Sequence, residues 1–121
     1  MKNLFLILLC SSLLVACQQE DKTPLLIGTW KGVSWSVQGK DSGRNASNAR
    51  FVFKNDNTYT AKFEGSKEAG TFRLRFDNKL FTTQEGKIEK SVLLSKITAD
   101  TIVMDMNRVG DREQLILVKV K

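Results

Sequence analysis

The sequence predicts an all-β fold, a small up-and-down antiparallel β-barrel of about eight strands that follows an N-terminal leader. Three observations lead there. From Gly28 onward, apolar and polar residues alternate with a period of two in one segment after another, the spacing of strands with one buried face. Between these segments Gly, Asn and Asp cluster at short intervals, where tight hairpins need residues that tolerate positive φ. After the leader, no segment carries a helical period. Hairpin-only connectivity favours closure into a barrel, which removes exposed edges; a two-sheet sandwich is the competing architecture that strand order alone leaves open.

The leader comes first. Lys2 and Asn3 form a short positive start, residues 4–9 are an unbroken apolar run, and Leu13, Leu14 and Val15 extend it past two serines. About a dozen apolar residues suit the core of a signal peptide and fall short of the ~20 that a spanning helix needs. A buried N-terminal helix is the other reading of this length. Leu14-Val15-Ala16-Cys17 resembles the lipobox of bacterial lipoproteins. A small residue gives a peptidase access to the scissile bond, and the cysteine thiol can carry a thioether-linked diacylglycerol. The resemblance implies that residues 1–16 are a lipoprotein signal peptide and that Cys17 is the lipidation site. It also implies acylation of the palmitate kind and residence at the cell envelope, as an outer-membrane lipoprotein in either leaflet. Each buried CH₂ contributes about 0.8 kcal/mol, so multiple acyl chains anchor the protein durably. Residues 17–24 then read as a lipidated tether ending at Pro24, and residues 25–121 as the barrel domain. Glu20-Asp21 beside the lipid site is similar to the surface-export signal of Bacteroidetes lipoproteins; a solvated linker carries such a pair equally well.

Composition narrows the function. Removing 16 of 121 residues leaves 105, room for one domain with a modest core. Of the two cysteines, Cys10 leaves with the leader and Cys17 is consumed by lipid, so the fold holds without a disulfide. The 19 Lys and Arg, less Lys2, leave 18 against 13 acidic residues, a net charge of +5. These charges are dispersed, without the basic run interleaved with aromatics that marks a nucleic-acid site. They form a solvated exterior, with attraction to anionic head groups as the functional alternative. Histidine is absent, which removes the commonest general base, metal ligand and pH switch.

Along the chain, residues 28–37 read as a long first strand and residues 38–49, without a large apolar side chain, as a loop of about a dozen residues. A meander follows, with strands over residues 50–53, 58–64, 71–76, 79–83, 87–97 (whole or broken), 101–107 and 113–120. Turns fall at 55–57, 65–70, 77–78, 84–86, 99–100 and 109–111. Alternation predicts an inward set of Phe51, Phe53, Tyr59, Phe63, Phe72, Leu74, Phe76, Ile102, Met104 and Met106. So many aromatics suggest a filled interior. Lys62, Arg73 and Arg75 fall on the outer face. Trp35 has the opposite parity to Trp30 and points outward unless a bulge intervenes, marking a contact patch near the long loop. Asp105, Asp111 and Glu113 near the last turn lack the spacing of a calcium loop and read as exposed acidic residues.

Gly28-Thr29-Trp30-Lys31 ahead of an eight-strand meander resembles the lipocalin-like small lipoproteins of Bacteroidetes. Gly70-Thr71-Phe72, Asp77-Asn78-Lys79-Leu80 and residues 97–103 stand where that pattern has its later motifs. The resemblance implies that Gly28 and Trp30 plug the closed end of the barrel. The chain is shorter than full-length lipocalins and shows no C-terminal helix, which speaks against a large cavity.

No catalytic constellation is visible: there is no histidine, no free cysteine, no phosphate-binding glycine loop and no metal-ligand cluster. The sequence therefore predicts a non-enzymatic protein without metal or cofactor. It is expected to hold to the membrane by lipid and to bind a small hydrophobic ligand or an envelope protein at the open barrel end, through Trp35, Phe72, Phe76 and Met104. No nucleic-acid partner is expected. A structural or accessory subunit of an envelope complex, its barrel fully packed, is the alternative. An inhibitor of basic cell-wall hydrolases would be acidic, unlike this domain.

Overall fold

The computed structural model describes residues 21–108 and 110–121; the leader and Cys17 lie outside the described residues. The chain enters through one helical turn, α1 (Thr23–Leu26), with Pro24 in the first turn, where a missing N–H costs nothing. Strands follow as β1 (Gly28–Val37), β2 (Lys40–Asp41), β3 (Arg50–Phe53), β4 (Thr58–Phe63), β5 (Ser66–Leu74), β6 (Lys79–Gln84), β7 (Lys90–Ile97), β8 (Thr101–Arg108) and β9 (Asp111–Lys119). All pairs are antiparallel in the order β2-β1-β3-β4-β5-β6-β7-β8-β9, and β9 returns to pair with β1. Eight strands therefore close a barrel, and β2 is a short extra strand folded back on the end of β1. Within residues 87–97 there is one strand rather than two, β7 over Lys90–Ile97, with a register shift between Leu94 and Lys96.

Successive hairpins alternate between the two ends. The β3–β4, β5–β6 and β7–β8 turns share one end with α1, and the β4–β5, β6–β7 and β8–β9 turns share the other with residues 38–49. Asn57 and Asn78 adopt positive φ in the first two of these turns, a conformation Asn tolerates better than most residues.

The α1 end is closed. Trp30 is fully buried and its Nε1 donates to the Leu26 carbonyl at 2.8 Å, so the indole satisfies its one polar atom while filling the bottom of the barrel. From the last strand, Lys119 sets its Nζ 5.2 Å from the Trp30 ring centroid and donates to the Ile27 carbonyl at 2.7 Å. Gly28 makes this approach possible: its φ is +136°, and a Cβ there would run into the Lys119 side chain. Phe53, Tyr59, Phe72, Leu94, Ile102 and Leu117 belong to the same buried cluster as Trp30, with Phe53 and Phe72 edge to face at 5.0 Å.

Strand β1 does not keep one parity. Opposite β9, Gly32 pairs with Leu117 and Ser34 with Ile116, so Val33 is an extra residue. This bulge flips the alternation. Trp30 and Trp35 both turn inward, Trp35 is only 6% exposed, and Val33 takes the outer position. The outward, contact-forming Trp35 of uninterrupted alternation is thereby corrected.

Phe76 also departs from the inward set. Strand β5 ends at Leu74, and residues 75–78 form the turn, with Asn78 N donating to Arg75 O at 3.0 Å and Arg75 N to Lys79 O at 2.9 Å. Phe76 rides on that turn and is 65% exposed.

Residues 38–49 are more ordered than a plain loop. Gln38 and Gly39, with φ of 51° and 77°, make a two-residue hairpin turn into β2. A 3₁₀ turn, Ala46–Asn48, follows, capped by the Asn45 side chain accepting from Ser47 N at 3.1 Å. It lies directly on Gly32, where any Cβ would overlap the Ala46 carbonyl, and Gly32 N donates to the Ala49 carbonyl at 2.9 Å.

Replacing Trp30 with Ala should cost about 3–5 kcal/mol, measured as a lowered urea midpoint with unchanged slope. A loss below ~1 kcal/mol would show that the closed end does not depend on this plug.

Candidate functional site

Away from the Trp30 plug the inward side chains stop short of filling the barrel. At the open end they border a cavity of about 720 Å³, within the ~300–1,000 Å³ usual for small-molecule sites. The filled interior expected from the aromatic count is corrected, and the distribution of residue sizes explains why. The aromatics concentrate at the closed end and on β1, β3 and β4. Near the mouth, the inward positions of β5 to β7 hold Ser66, Glu68, Thr82 and Lys90, which are short or polar.

Two walls result. On β1, β3 and β4, Trp35 meets Phe63 edge to face at 6.2 Å and Phe63 meets Phe51 at 5.4 Å. On β6, β7 and β8, the apolar lining is Leu80, Val92, Met104 and Met106.

Two of the polar groups at the cavity are held by ion pairs. Glu68, on the inward face of β5, accepts from Tyr59 Oη at 3.0 Å, Gln84 Nε2 at 3.2 Å and Lys90 Nζ at 3.2 Å. Across the barrel, Arg44 reaches in from the segment between β2 and β3. Its Nη1 lies 3.7 Å from Glu113 Oε1, and its guanidinium carbon 5.0 Å from the Trp35 ring centroid. Glu113 shares the inward face of β9 with Leu115 and Leu117 and is buried, which corrects its reading as an exposed turn residue. Trp35 Nε1 is buried with no hydrogen-bond partner among the described residues, an orphan donor of the kind that costs about 1–3 kcal/mol.

The expected site residues separate. Trp35 and Met104 line this cavity. Phe72 is buried in the core, and Phe72 and Phe76 border a shallow groove at the opposite end, beside residues 21–23. The four therefore do not assemble into one site. Gly28 and Trp30 lie at the closed end, far along the barrel from the cavity mouth. Among the polar residues that line the cavity, Glu68 escapes a reading of alternation that begins β5 at Thr71. Extending β5 back to Ser66 gives Glu68 the parity of Phe72, and Thr82 has the parity of Leu80; that was the available signal. Among the described residues no group of three or more His, Cys, Asp or Glu is placed to hold a metal ion.

Burial pushes the Tyr59 phenol up to about 12 from its ordinary 10.0, partly offset by a hydrogen bond with Thr82 and reinforced by the negative Glu68 that accepts its hydrogen bond. The folded state thus holds this proton more tightly than the unfolded chain does. The stabilisation is complete below pH 10 and is lost as pH rises toward 12. Tyr59 is the only tyrosine, so phenolate absorbance reports it alone. The native midpoint should lie well above that of the urea-unfolded chain, and coincident midpoints would refute the Tyr59–Glu68 arrangement.

The comparisons agree with this architecture. The family model of the lipocalin-like domain matches residues 26–104. No curated protein matches the chain. Among solved structures, a DUF4847 family protein from Bacteroides vulgatus aligns with a TM-score of 0.53 and 13% sequence identity, over 83% of this chain and 97% of that one. At this identity the likeness concerns the fold alone. With its eight-strand closed barrel and a family match over more than half its length, this chain belongs to the lipocalin-like domain family.

Proposed function

We propose that the protein is an outer-membrane lipoprotein, anchored through acylated Cys17, whose barrel takes a small amphipathic molecule into its open end. The cavity carries this reading: about 720 Å³, walled by aromatic and aliphatic side chains, with a few charged groups at its margin. That is the composition of a site that binds an apolar body and orients a polar head. A fully packed accessory subunit would need a filled interior, and the cavity speaks against it. A partner protein inserting a side chain at the same mouth is the closest variant of the binding reading.

An anchor at Cys17 would set the direction in which the cavity faces. Lys22 Nζ donates to Asn78 Oδ1 at 3.3 Å in the β5–β6 turn, so the chain leaves the barrel at its closed end. From Cys17 to Asp21 is four residues, which reach at most about 14 Å. A lipid on Cys17 would hold the closed end toward the bilayer and turn the cavity mouth away from it.

Two measurements test the halves separately. Met104→Trp places a large ring in the cavity and should weaken binding of the reporter dye N-phenyl-1-naphthylamine by about tenfold or more; unchanged binding would put the dye elsewhere. Cys17→Ser should abolish incorporation of labelled palmitate and release the mature domain from membranes, whereas full incorporation would remove Cys17 as the lipid site.

A further inference from the structure

Two ion pairs beside the cavity share an asymmetry. In each, the carboxylate is the buried partner and the cation the exposed one. The Glu113 side chain is 6% exposed against 43% for Arg44, and that of Glu68 is 17% against 56% for Lys90. Water can solvate either cation if its partner is lost, and it has little access to either acid. Both acids are built into strands. Arg44 comes from the connection between β2 and β3, and its 3.7 Å approach to Glu113 exceeds hydrogen-bond length. Its guanidinium rests against Trp35, which leads into the Phe63 and Phe51 rings. An aromatic face beside a buried carboxylate favours a cation, and the chain's own arginine now fills that place.

We propose that the cavity selects amphiphiles with a positively charged head, a guanidinium or an ammonium. The head takes the place of Arg44 between Trp35 and Glu113, and the apolar body lies against Leu80, Val92 and Met104. This rests on the cavity-binding reading above and adds the sign of the ligand's charge. Exchanging one cation for another keeps Glu113 compensated and returns Arg44 to water. An anionic head does the reverse, since reaching Arg44 brings it beside Glu113 and reaching Lys90 brings it beside Glu68. The net charge of +6 on the whole chain attracts anions at long range, but salt screens exposed charges beyond ~10 Å. The local pairs therefore set the preference.

The test uses the full-length protein in lipid nanodiscs, with empty nanodiscs as the partition control. Calorimetry compares octyltrimethylammonium, octanoate and octanol, which share a tail. The cation should bind about tenfold or more tighter than octanoate. Arg44→Ala, a change at an exposed residue that leaves the core intact, should tighten the cation severalfold, and Glu113→Gln should weaken it by about tenfold. Octanoate binding more tightly, and losing affinity in Arg44→Ala, would overturn the proposal and make Arg44 an anion ligand. Octanol binding without any preference for the cation would overturn the charge selection and leave the cavity reading standing. Failure of all three probes, octanol included, would overturn both.

Discussion

The ladder between β1 and β9 closes the barrel, and the extra residue in that ladder, Val33, decides what the barrel contains. On the near side of the bulge β1 presents Trp30 to the closed end; on the far side it presents Trp35 to the mouth. Without the bulge, one of the two indoles would face water. With it, a single strand supplies both the plug and one wall of the cavity. Gly32 sits at the hinge of this change, and its missing side chain lets the 3₁₀ turn lie flat over the strand.

The two ends obey different rules. At the bottom, the polar atoms near the core are satisfied locally: Trp30 by Leu26, Lys119 by Ile27. The packing there is aromatic. At the top, carboxylates from β5 and β9 face inward, an arrangement that is costly unless each acid is hydrogen-bonded or paired. Glu68 meets that requirement with three donors. Its network holds Tyr59 and Gln84 in place and keeps that side of the barrel from closing over the space above Leu80. The cavity therefore follows from where polar residues occupy inward positions, and barrel diameter alone does not account for it.

Much of the architecture was legible in the sequence because strand alternation and turn chemistry are local. The hairpins at Asn57 and Asn78 and the buried Phe51, Phe53, Tyr59 and Ile102 follow from period-two spacing and from which residues tolerate positive φ. The cavity was not legible in the same way. Its lining depends on a one-residue bulge at Val33 and on β5 starting at Ser66 instead of Thr71. The bulge reverses which side chains of β1 face inward, while the bounds of β5 decide which of its residues belong to the barrel wall at all. Arg44 was hidden for another reason: its partners Trp35 and Glu113 lie on strands that meet only when the barrel closes.

The most direct test of this account is the fluorescence of Trp35 in a Trp30→Phe protein, where it is the only indole left. The bulged strand predicts a blue-shifted emission protected from aqueous quenchers, which changes when a small apolar molecule enters the cavity. A red-shifted, freely quenched emission that ignores such molecules would mean that Trp35 faces water, and the cavity as described would not exist.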